Sequence, residues 1–246
     1  MEKLSWYWRL TLFFILELLL GEVVIGYSTR LLHFAYVPHL LVYKGLEFGV
    51  ILLLNWWLIH QKLHFLNLKW WTWTWLILLW LIVGVITYKL GHTSRIPAGI
   101  VTGIVAAATE ECMFRGVIFS QLLKHWRNAW AAMLTSGLLF GALHLINLTH
   151  QSAGITLIQI LQAAGMGVML AAMYLRSGSL LVPMAFHFSL DYIAVAIHGL
   201  SGTPTGNFQI LLFGSLFWVM IYLAIAVIIV HGSRKPLKLL NLETSR

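Results

Sequence analysis

Long apolar runs alternate with short polar breaks along the whole chain. The runs fall near residues 7–29, 40–60, 71–90, 97–123, 128–147, 155–175, 179–198 and 208–231. Each holds about 20 residues or more, enough for a helix to cross a hydrocarbon core of roughly 30 Å. Lipid offers no hydrogen-bond partners, so a spanning segment must satisfy its own backbone, and helices are predicted throughout. The expected fold class is an all-α membrane protein, a polytopic bundle of about eight transmembrane helices, with residues 1–246 as a single integral membrane domain. The first 26 residues carry acids, are long and show no clear cleavage site. They are read as the first span rather than a removable signal. The tryptophan-rich stretch WWTWTWLILLW at 70–80 fits an interfacial aromatic belt.

Composition agrees with the pattern. The chain is 60% hydrophobic and 10% charged, where a soluble domain is nearer half apolar and a quarter charged. The net charge of +8 is spread singly or in pairs between apolar runs, which excludes a basic patch for nucleic acid and reads as a topology signal. Eight spans put both termini on one side. That side carries Lys3, Arg9, Lys62, Lys69, Lys124, Arg127, Arg176, Arg234, Lys235, Lys238 and Arg246, against Arg30, Lys44, Lys89 and Arg95 on the other. The bias places both termini in the cytoplasm. Cys112 is the sole cysteine, so no intrachain disulfide can form. Gly99 with Gly103, and Gly137 with Gly141, are small residues four apart that allow close helix approach.

The acids change the picture. Glu17, Glu22, Glu47, Glu110, Glu111 and Asp191 lie within or at the edges of predicted spans, where an ionisable side chain is costly and marks a functional candidate. Glu110 and Glu111 sit in the stretch TEECMFRG, residues 109–116, with Arg115 one turn after Glu111. Glu111–Arg115 is a favourable i, i+4 pair. Glu110 is left without a local countercharge and is a candidate general base or acid. Cys112 points away from Glu110 and reads as packing. Two further spans carry polar residues at helical spacing: Phe140 with His144, and His187 with Asp191. The remaining histidines fall at span ends or in loops.

Glu-Glu-x-x-x-Arg, Phe-x-x-x-His and His-x-x-x-Asp, in that order in the fourth, fifth and seventh spans, resemble the CPBP family of intramembrane proteases (CAAX proteases and bacteriocin-processing enzymes, also called Abi proteins). The resemblance covers about residues 97–195, the expected catalytic core. It implies a glutamate-dependent endopeptidase that hydrolyses a peptide bond within the membrane. By that resemblance Glu110 and His144 activate water, His187 and Asp191 serve the carbonyl oxygen, Glu111 and Arg115 brace the site, and Phe140 packs it. Where prenyl-protein proteases have Asn, this chain has Asp191. An ionised Asp cannot donate to an oxyanion, so Asp191 is expected to be protonated or to orient His187.

The expected partners are a peptide or protein substrate and the lipid bilayer. In a bacterial cell membrane the family's roles are peptide maturation or self-immunity to a bacteriocin. No cofactor is expected. Two other readings use the same residues. Two His with Glu and Asp are competent zinc ligands for a metalloprotease, although His-Glu-x-x-His is absent. A non-catalytic immunity protein or proton-coupled carrier could use intramembrane Glu and His as a relay, and Glu17, Glu22 and Glu47 have no role in the protease pattern.

Overall fold

The computed structural model describes residues 4–65, 68–199, 206–232 and 239. Of the residues invoked above, Lys3, Arg234, Lys235, Lys238 and Arg246 lie outside them. The described residues form helices and connecting turns, with eight helices long and apolar enough to cross a membrane: α1 Trp6–Arg30, α2 Tyr36–Ile59, α3 Thr72–Leu90, α4 Thr93–Trp126, α5 Ala129–Thr149, α6 Ala153–Ser177, α7 Leu181–His198 and α8 Phe208–His231. All eight predicted spans are present, with ends that differ from the sequence reading by at most four residues. The largest differences are at the starts of α2 and α4, where the helix begins four residues earlier than the apolar run.

Burial is inverted relative to a soluble protein. Tyr27, Trp56, Trp75, Val85, Tyr88, Ile210, Phe213 and Ile228 present large apolar surfaces outward, whereas Glu17, Lys44, Glu47, Glu111, Arg115 and His187 are buried. An outer apolar surface facing lipid carries no penalty, and the expensive charges are paired inside. Trp70, Trp73, Trp75 and Trp80 are exposed on or beside α3, as the aromatic-belt reading requires.

The packing that positions the site involves α4 against α7, α5 against α6, and α2 against α4. Glycine makes two of these approaches possible. A Cβ on Gly103 would come within 2.8 Å of the Phe188 side chain and backbone on α7. One on Gly141 would lie 2.7 Å from the Ile160 carbonyl on α6. Both pairs singled out in the sequence are therefore points where backbones touch. The Asn128 side chain accepts from Ala131 N at 3.1 Å and caps α5, while α6 ends on Gly178 at φ 66°.

Candidate active site

Pro97 lies in the first turns of α4 and leaves it a clean start. The helix then runs regularly to Glu111 and widens into π-helical turns over Cys112–Phe119, every residue of which is buried. A similar widening occurs in α1 over Leu18–Ile25, around Glu22. Such turns are rare and gather at functional sites. These two coincide with charges inside the bundle, whereas a third such segment, Asn55–Ile59 at the end of α2, carries none. Cys112 is a free, buried thiol, as its packing role predicted.

Glu111 and Arg115 form the expected pair: Arg115 Nη1 donates to Glu111 Oε1 at 2.7 Å, and both side chains are fully buried. Arg115 Nη2 donates to the Gly167 carbonyl at 3.2 Å, and the guanidinium lies 4.5 Å from the centre of the Phe140 ring. Phe140 meets Phe114 edge-on at 5.0 Å and turns edges toward His144 and His187, each at 5.7 Å. It is the packing element that the sequence predicted, and it also stacks on the arginine.

His187 is the hub. Its Nδ1 is 2.8 Å from Glu111 Oε1. A carboxylate oxygen only accepts, so Nδ1–H donates and Nε2 is turned to the other side of the ring. There it faces Asp191 Oδ2 at 3.5 Å and Glu110 Oε2 at 3.7 Å. His144 is fixed differently. α5 tightens into 3₁₀ turns at His144, and the ring Nδ1–H donates to the Phe140 carbonyl at 3.2 Å. That tautomer leaves Nε2 with a free lone pair.

Glu110, His144, His187 and Asp191 all line one cavity of about 240 Å³, together with Thr102, Phe140 and Met166. The four residues proposed from the sequence are thus brought together by α4, α5 and α7. A larger cavity of about 440 Å³ shares His144, Asp191, Met166 and Ala194 with the first and continues past Gln162 and Gln159 to Gln151 and His198. The joined space runs from the middle of the bundle to the end where α5 passes into α6.

Two sequence expectations are corrected. Lys44, counted among the charges on the side opposite the termini, does not flank a span. It is buried in α2, 2.8 Å from Glu47 Oε2 and 3.4 Å from Glu22 Oε1. Only Arg30, Lys89 and Arg95 then remain on that side of the charge count. Nor is Glu110 without a countercharge, since Lys44 Nζ lies 3.8 Å from its Oε1. The Tyr43 hydroxyl donates to Glu22 Oε2, and Glu17 is buried close by, beside Gly21. The unassigned acids of the first two spans are therefore packed around one lysine. The signal was present in Lys44 and Glu47, three apart in an apolar run, but Lys44 was counted as a topology charge although it lies within the predicted span 40–60. The second role of Glu111, as partner of His187, had no local signal.

Among the described residues no three His, Cys, Asp or Glu side chains are grouped to hold a metal ion.

The fold and the site define an integral membrane protein with paired carboxylates and histidines in an interior cavity. Residues 92–193 match the family model described as type II CAAX prenyl endopeptidase Rce1-like, a segment that coincides with the resemblance read from the sequence. The segment contains Glu110, Glu111, Arg115, Phe140, His144, His187 and Asp191. The match supports an intramembrane endopeptidase of CAAX type acting on a peptide substrate in a lipid environment. No curated protein and no solved structure gives a significant match.

Proposed function

We propose that the protein hydrolyses a peptide bond in the membrane with water activated by Glu110 and His144. The observation that carries this reading is the convergence of Glu110, His144, His187 and Asp191 on one cavity inside an apolar bundle. Glu110 takes a proton from water while the His144 Nε2 lone pair accepts its other hydrogen. The hydroxide attacks the scissile carbonyl carbon. His187, held through Nδ1 by Glu111, turns Nε2 to the developing oxyanion and donates to it when the ring is an imidazolium. The C–N bond breaks and Glu110 returns the proton to the leaving amine. Asp191, beside Nε2, keeps the imidazole aligned, and the carboxylate contact makes this orienting role the better fit to the Asp that replaces the family's Asn.

The catalytic segment lies in one domain with the flanking spans, and both termini face the cytoplasm. With that orientation the cavity opens at the end of the bundle away from the termini. In a bacterium the substrate is a small secreted peptide, and the role is its maturation or immunity to it. Co-expression with the peptide products of neighbouring genes, followed by mass spectrometry, tests this. Cleavage that disappears in Glu110→Gln supports it; intact peptides with the wild-type protein and every candidate count against a proteolytic role.

A further inference from the structure

We infer that Lys44 is a positioning residue for Glu110, so that the α1–α2 hairpin, outside the segment matched by the family model, completes the active site. The inference rests on Glu110 acting as the base.

Lys44 brings together carboxylates from three helices. Its ammonium lies 3.4 Å from Glu22 on α1, 2.8 Å from Glu47 on α2 and 3.8 Å from Glu110 on α4. An ammonium has three N–H donors and no acceptor; Glu47 and Glu22 engage two of them, and Glu110 stands in the third direction beyond direct bonding distance. Two of them form the mount. Glu47 is one turn along the same helix, and Glu22 is held through its other oxygen by the Tyr43 hydroxyl. A pair kept only for stability would need one acid, because each additional buried carboxylate costs desolvation. The second acid fixes Nζ from a separate helix and leaves the third direction for Glu110.

The geometry at Glu110 matches that purpose. Oε1 faces Lys44 at 3.8 Å and Oε2 faces His187 Nε2 at 3.7 Å. Both distances exceed direct hydrogen-bond reach. The carboxylate is aligned between two nitrogen groups, yet neither oxygen is closed off by a donor, and the side chain keeps 16% exposure to the cavity. A base that must accept from water needs both properties. Lys44 itself lines neither cavity, so it acts through Glu110 and does not meet substrate.

The test uses the full chain reconstituted in lipid vesicles, with the best-cleaved member of a quenched-fluorescence peptide library as probe. Lys44→Met removes the cation. Because this can strand Glu22 and Glu47, a second variant combines Lys44→Met with Glu22→Gln and Glu47→Gln, which removes the cation and its mount together. Both are expected to lower kcat by about tenfold or more with KM within about twofold, and Lys44→Arg is expected to restore most of kcat. A folded triple variant with wild-type kcat, or a loss expressed in KM alone, overturns the proposal. Glu110→Gln in the same assay separates the two layers. If it stays active, the reading of Glu110 as base fails. If it is inactive while the Lys44 variants are normal, only the positioning role fails.

Discussion

His187 Nδ1 and Glu111 Oε1 meet at 2.8 Å although 76 residues separate them in the chain. The same oxygen accepts from Arg115 at 2.7 Å, so one carboxylate ties the structural arginine to the histidine of the site. Glu111→Gln keeps the volume but loses the charge that both partners share. It should destabilise the fold by about 3–5 kcal/mol, the range for breaking a buried ion pair. Glu110→Gln, facing the cavity, should change stability little. Thermal unfolding of the two variants in detergent compares neighbours on one helix; equal melting temperatures would show that Glu111 has no special structural role.

Arg115→Ala leaves Glu111 buried without its cation and the Gly167 carbonyl without its donor. The expected loss is again about 3–5 kcal/mol, read as lost monodisperse protein on size exclusion rather than as a folded, inactive enzyme. Arg115→Lys should fall between, because a point charge cannot reach both oxygens as the planar fork does. Wild-type yield and thermal stability for Arg115→Ala would count against a structural pair.

The sequence made the spans and the polar cavity readable because both depend on local spacing. Apolar runs of fixed length define α1 to α8, and four-residue intervals put Glu111 with Arg115, Phe140 with His144 and His187 with Asp191. What it left out depends on which helices pack together. Glu111 faces His187 only because α4 lies against α7. Lys44 reaches Glu110 only because α2 lies against α4, and counting it as a topology charge had hidden it as a candidate within its own span. Glu22 and Glu47 gained a partner from the same packing. Pairings between helices leave no periodic trace in one sequence, so the first two spans could be recognised as membrane helices while their charges stayed unexplained.

Asp191 Oδ2 is 3.5 Å from His187 Nε2, and its side chain is 30% exposed. If its task is to align the imidazole, Asn at the same place can still accept through its amide oxygen and can add a donor near the oxyanion. Asp191→Asn should therefore keep activity within about tenfold of wild type, whereas Asp191→Ala should lose about 100-fold, the scale of removing one oxyanion-hole group. Peptide-cleavage rates for the two variants decide it. An Asn variant as inactive as the Ala variant would mean that the carboxylate charge itself is needed.

Glu110→Gln separates a carboxylate base from a metal-bound hydroxide. Gln fills the same volume and still hydrogen-bonds, but its amide oxygen cannot take a proton from water. Loss of about 100-fold or more in kcat is expected, with a melting temperature near wild type because the side chain sits at the cavity wall. In the proposed mechanism the proton moves between water, Glu110 and the leaving amine, and no ion holds the hydroxide. Dialysis of the wild-type protein against a strong chelator should then leave the cleavage rate unchanged, and elemental analysis should find no stoichiometric metal in active protein. One zinc per chain, with activity abolished by stripping and restored by zinc, would reassign Glu110, His144, His187 and Asp191 as ligands. A folded, inactive Glu110→Gln beside a chelator-resistant wild type would leave water activation to the carboxylate.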